Sequence, residues 1–107
     1  MKDLGGLMKQ AQAMQQKMAE GQERLKAQLF DGTAGGGMVT VTLTGAGELK
    51  GVKLDEELLQ PGEGEVVADL LVAAHADARR KLEVAQAEFM RDVAGPLAGM
   101  NIPGLKF

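Results

Sequence analysis

The sequence predicts an α/β (α+β) fold in which a long helix, a three-stranded antiparallel sheet and a second long helix follow in order, assembled as an elongated dimer with projecting helices. Three observations predict it. Apolar residues step at helical spacing through residues 1–30 and again from Glu63 to about Ala94, with a period-two stretch between them. Glycine clusters at 35–37 and 45–47, and Pro61-Gly62, punctuate the change of period. Both helical runs are also too long for the globule that a single 107-residue domain would form.

In the opening run, Leu4, Leu7, Ala11, Met14, Met18, Gly21, Leu25 and Gln28 alternate steps of three and four, which is a heptad seam widened by Met8 and Leu29. Gly21 interrupts it at a cost of about 1 kcal/mol against alanine. Asp3 is the candidate N-cap. The stretch DGTAGGG at 31–37 ends the helix, although residues 28–33 can add a short third strand. Val39, Val41 and Leu43 then alternate with Thr40, Thr42 and Thr44, the pattern of a half-buried strand. After Gly45-Ala46-Gly47 comes ELKGVKLD (48–55), whose apolar Leu49 and Val52 are out of phase, so a bulge is expected at Gly51. Residues 55–59 form a single helical turn closed by Gln60-Pro61-Gly62.

The second helix carries the stripe Val67, Leu70, Ala74, Ala78, Leu82, Ala85 and Phe89, flanked by Val66, Leu71 and Val93, and Gly95-Pro96 ends it. One helix–sheet–helix domain thus covers 1–94, followed by a Gly/Pro-containing tail at 95–107. Helices of about 27 and 30 residues run roughly 40 and 45 Å at 1.5 Å per residue. A compact domain of this length is only roughly 34 Å across. Dimerisation resolves the mismatch, because two sheets and helix bases can bury each other while the ends project. Val39, Val41, Leu43, Val52, Leu54, Leu70 and Ala74 are the candidate dimer-interface residues.

Composition narrows the chemistry. The chain has no Cys, Ser, Trp or Tyr; its hydroxyl side chains are Thr33, Thr40, Thr42 and Thr44, and its imidazole is His75. Serine and cysteine nucleophiles, disulfides and thiolate metal sites are excluded, and the reading is non-catalytic, with no cofactor and no small-molecule substrate. No run approaches 18 apolar residues and no signal-peptide core is present, so no membrane association is expected, and with zero Cys this fits a cytoplasmic protein. His75 has Leu71, Val72, Ala78 and Arg79 at helical spacing, which is no chelate. The glycine clusters lack a following Walker Lys-Thr/Ser and read as turns. Asp55-Glu56-Glu57 reads as a solvated turn rather than a metal site.

The net charge is −3, yet residues 1–30 hold five basic side chains (Lys2, Lys9, Lys17, Arg24, Lys26) against three acidic ones. Arg79-Arg80-Lys81 adds a compact patch on the second helix. Such residues either form solvated helix faces or grip phosphates, a contact that neutralises charge without reading sequence. Without Trp and Tyr, base stacking is disfavoured. An alternative is a protein-interaction module, in which the Met-lined first helix docks an apolar partner helix.

The whole chain resembles the YbaB/EbfC family of bacterial nucleoid-associated DNA-binding proteins. The resemblance rests on LMKQAQAMQQKM (7–18), GGGMVTVTLTG (35–45), VKLDEELL (52–59), DLLVAAHADARRK (69–81) and the short Gly/Pro/Met tail. It implies a helix–sheet–helix homodimer with tweezer-like helices, located at the nucleoid and bound to double-stranded DNA. By position, Lys9, Lys17, Arg79, Arg80 and Lys81 are the implied DNA contacts, with Lys2 and Arg24 beside them. Glu56 and Ala76 depart from the family's usual Pro and Asn, which bears on turn geometry and helix packing rather than charge.

Overall fold

The computed structural model describes residues 4–98 and consists of α1 (Leu4–Ala27), β1 (Leu29–Ala34), β2 (Val39–Thr44), β3 (Leu49–Leu54), a 3-10 turn (Glu56–Leu58) and α2 (Gly64–Ala98). Asp3 and Lys2, and the tail from 99 onward, lie outside the described residues. The radius of gyration is 20.6 Å and the principal extents are 74 × 26 × 15 Å. A compact domain of about 100 residues would have a radius near 13 Å. The elongation inferred from helix length is therefore present in the single chain.

The sheet is an antiparallel meander in the order β1-β2-β3. Gly35, Gly36 and Gly37 join β1 to β2 with φ of 64°, 67° and 95°, three successive left-handed residues that no other side chain would adopt without strain. Between β2 and β3 the register passes from Thr42↔Gly51 to Leu43↔Leu49, leaving Lys50 as the extra residue of a bulge beside Gly51. Asp55 caps the 3-10 turn by accepting the Glu57 N–H at 2.9 Å, so the acidic trio begins with a structural cap.

Two helix boundaries differ from the periodicity. The first helix stops at Ala27 instead of near Phe30, because Leu29 and Phe30 pair with Thr44 and Leu43 of β2. The Gln28 carbonyl also accepts the Gly45 N–H at 3.0 Å. Long-range strand pairing overrides the local heptad there. The second helix continues through Gly95 and Pro96 to Ala98 instead of ending before them. Proline's fixed φ of about −65° is itself helical.

Alternation along β2 builds the core. Val39, Val41 and Leu43 are 0%, 1% and 0% exposed and pack with Leu58, Ala74 and Ala78. The helix can come this close because β1 carries Gly32, where a Cβ would strike the Ala74 carbonyl and the Ala78 amide. α2 lies across β1 and β2 and largely misses β3. Val52 is paired with Val41 yet remains 41% exposed. This corrects part of the expected dimer interface: Val39, Val41, Leu43 and Ala74 are sealed inside one protomer by its own α2 and have no area to offer a second copy. Val52 stays exposed, and Leu54 and Leu70 are half-buried.

Candidate nucleic-acid interface

The cationic residues expected to contact DNA lie along two helices that meet at the Gly21–Phe89 contact, while Lys50 and Lys53 lie on β3. Gly21 is the buried residue of α1, and a Cβ there would overlap the Phe89 ring of α2. On the sheet side of that crossing, Gly45 abuts the Leu25 carbonyl so closely that a Cβ would collide with it. On the far side the helices separate. Along the seam Met18 is half-buried, Met14 is 36% exposed and Leu7 is 61% exposed. The N-terminal part of α1 is therefore an arm rather than a layer of the core.

Lys9, Lys17 and Arg24 are exposed on this helix. At 100° per residue they fall within about 80° of one another, on a face away from the seam. Among the described residues none of the three has a carboxylate within ion-pair distance, whereas Lys26 lies 3.8 Å from Glu23. Lys9 and Lys17 are eight residues apart, or about 12 Å of helix rise.

The second cluster is arranged differently. Arg79 lies 3.6 Å from Glu83, Arg80 donates to Asp77 at 2.7 Å, and Lys81 lies 3.6 Å from Asp77 while donating to the Asp31 carbonyl at 2.7 Å. All three expected cations of this patch are thus engaged within the chain. The arginines remain largely exposed at 59% and 69%, so they can exchange such surface pairs for phosphate oxygens at small cost. Lys81, tied to β1, is the most structural of the three. The patch sits over the sheet, about 15 Å of helix rise before Phe89. The structure does not bring it together with Lys9 and Lys17 within one chain.

Asp77 was not distinguished by its spacing alone, although Arg80 and Lys81 at i+3 and i+4 are the positions for helical ion pairs. What the spacing does not show is the Thr33 N–H, 44 residues away in sequence, which donates to Asp77 at 3.0 Å. That backbone hydrogen bond first, and then the Arg80 guanidinium, hold the Asp77 carboxyl below the ordinary aspartate range. His75 is exposed on α2, and among the described residues no group of three or more acidic, histidine or cysteine side chains could hold a metal. No helix among them is long and apolar enough to cross a membrane.

The chain is similar to several known proteins. The sequence profile of the YbaB/EbfC DNA-binding family matches residues 1–97. A nucleoid-associated protein of Caulobacter vibrioides (strain NA1000 / CB15N) is 66% identical over the full length of both chains. One from Phenylobacterium zucineum is 65% identical, covering 98% of this chain and 96% of that one. One from Maricaulis maris is 55% identical, covering 96% and 99%. Among solved structures, an uncharacterized protein from Helicobacter pylori superimposes with a TM-score of 0.67 at 27% identity, over 86% of this chain and 94% of that one.

Proposed function

The chain belongs to the YbaB/EbfC DNA-binding family, and from that premise we propose that it is a non-catalytic, nucleoid-associated protein of the bacterial cytoplasm that grips duplex DNA as a homodimer, chiefly through phosphates. The single observation that carries the mechanism is the polar face of the α1 arm, where Lys9, Lys17 and Arg24 project without carboxylate partners among the described residues. Arg79 and Arg80 supply secondary contacts after releasing Glu83 and Asp77. Lys81 contributes mainly by its charge. Lys2 belongs to the same proposed set but lies outside the described residues. Neutralising charge in this way gives affinity without base readout.

The separation of the arm lysines from the α2 patch within one chain favours a dimeric grip, since two copies can present both clusters to one duplex. The uncovered third of the sheet supports the same reading. Leu49 and Val52 are 58% and 41% exposed on β3, and Leu54 and Leu70 continue that side. Sedimentation tests this directly, because a monomer at micromolar concentration contradicts the dimer.

A salt series of gel shifts tests the DNA grip. With about six phosphates neutralised per dimer, log affinity falls against log salt with a slope near −5. Lys9→Ala or Lys17→Ala lowers that slope by about 2 in a dimer, one phosphate per copy. Lys81→Ala moves the slope less and stability more. Absence of any shift at low salt sinks the reading. The exposed seam of Leu4, Leu7, Met8 and Met14 favours one alternative, a docking arm for an apolar helix of a partner protein. A defined protein retained by the wild-type chain and lost from Leu7→Lys would promote it.

A further inference from the structure

The two edges of the sheet are treated differently. In the β1–β2 ladder, Asp31 and Thr33 pair with Thr42 and Thr40. The Thr33 N–H and the Asp31 carbonyl turn away from β2 toward the free edge. Neither is left open: Asp77 accepts the first at 3.0 Å and Lys81 donates to the second at 2.7 Å. The two α2 side chains, one helical turn apart, also lie 3.6 Å from each other, so a linked acid–base pair occupies two of the groups that an added strand would use. Phe30, Val84 and Glu88 line the adjoining groove. The opposite edge has no such cover. Among the described residues no side chain hydrogen-bonds the backbone of β3, and α2 largely misses that strand.

We infer that Asp77 and Lys81 close the β1 edge of the sheet and thereby prevent head-to-tail strand addition between copies of this chain. The physical consequence concerns closure. A sheet with two open edges can add β3 of one copy to β1 of the next, a head-to-tail contact that does not close and grows without limit. A sheet with one open edge can only meet the same edge of another copy, which ends at a pair. Asp77 and Lys81 therefore act as assembly-limiting residues, a role separate from any contact with DNA.

The test compares molar mass by light scattering across a concentration series, with circular dichroism as the check on folding. Folded Asp77→Ala has its β1 edge exposed, and its mass at least doubles over wild type at equal concentration. Adding Thr33→Lys, which places a charge on the reopened edge, returns the mass to the wild-type value. Lys81→Met, which frees the Asp31 carbonyl alone, shifts mass in the same direction and serves if Asp77→Ala does not fold. A folded Asp77→Ala or Lys81→Met chain that keeps the wild-type mass overturns the inference. So does a mass increase that Thr33→Lys fails to reverse, since that would mark general exposure of apolar surface. A monomeric wild type would refute the dimer reading above while leaving this comparison of variants to be decided on its own terms.

Discussion

Leu43 and Leu7 are both leucines on a periodic apolar face, yet Leu43 is wholly buried while Leu7 is 61% exposed. The contrast extends to the regions they belong to. In the body, β1, β2 and the first half of α2 approach so closely that Gly32 meets helix backbone. In the arm, α1 touches α2 at the Gly21–Phe89 crossing and then leaves it. The buried core lies in the body, and Lys9, Lys17 and Arg24, which have no ion-pair partner among the described residues, are carried by α1. A phosphate-gripping surface has to be reachable from outside, and its charges are not needed to hold the sheet.

The sharpest way to break this comparison is Gly32→Ala. The new methyl would collide with rigid backbone of α2 rather than with a side chain end, and the cost is about 3 kcal/mol or more. Urea unfolding of that variant should show little or no folded baseline; a wild-type midpoint would mean that the helix sits farther from β1. Next in size is the paired truncation of the two leucines. Leu43→Ala lowers stability by about 2–5 kcal/mol, whereas Leu7→Ala stays within about 0.5 kcal/mol. Equal losses in chemical denaturation would show that the arm is packed in solution.

The crossing itself gives a smaller effect. Gly21→Ala forces the Phe89 ring aside and costs about 1 kcal/mol. In a Phe89→Leu background the same change removes a poor helix former without the clash, and it stabilises by up to about 1 kcal/mol. Failure of the sign to reverse would place the contact elsewhere.

Smallest is the acid dependence of the edge clasp. Because Asp77 titrates below the ordinary range in the folded chain, its stabilisation is fully present above the unfolded value of about 3.9 and is lost as pH falls through the lower folded value. The stability difference between wild type and Asp77→Asn should hold constant down from neutral pH and shrink only in that acid window. A difference already fading between about pH 7 and pH 5 would assign it to another group.

Much of the fold was legible in local pattern. The alternation of Val39, Val41 and Leu43 against threonines identified the buried strand and its face, and the run at Gly35–Gly37 marked a turn that requires left-handed residues. The mismatch between helix length and chain length correctly implied an elongated molecule. The cationic residues were legible as residue types, but their states were not. Lys9 and Arg80 look alike as exposed helix cations, yet one has no ion-pair partner among the described residues and the other is paired to Asp77.

By itself, then, the sequence determined the order of elements, the strand face that is apolar, and the absence of serine and cysteine side chains, because these depend on residue type and short-range period. Only the tertiary structure decided where α1 stops, which sheet edge is closed, and which of the expected interface residues are buried within one protomer. Those outcomes depend on contacts between segments far apart in the chain, such as Leu29 with Thr44 and Thr33 with Asp77. A periodic pattern says that a face will be covered, and the distance between elements settles what covers it.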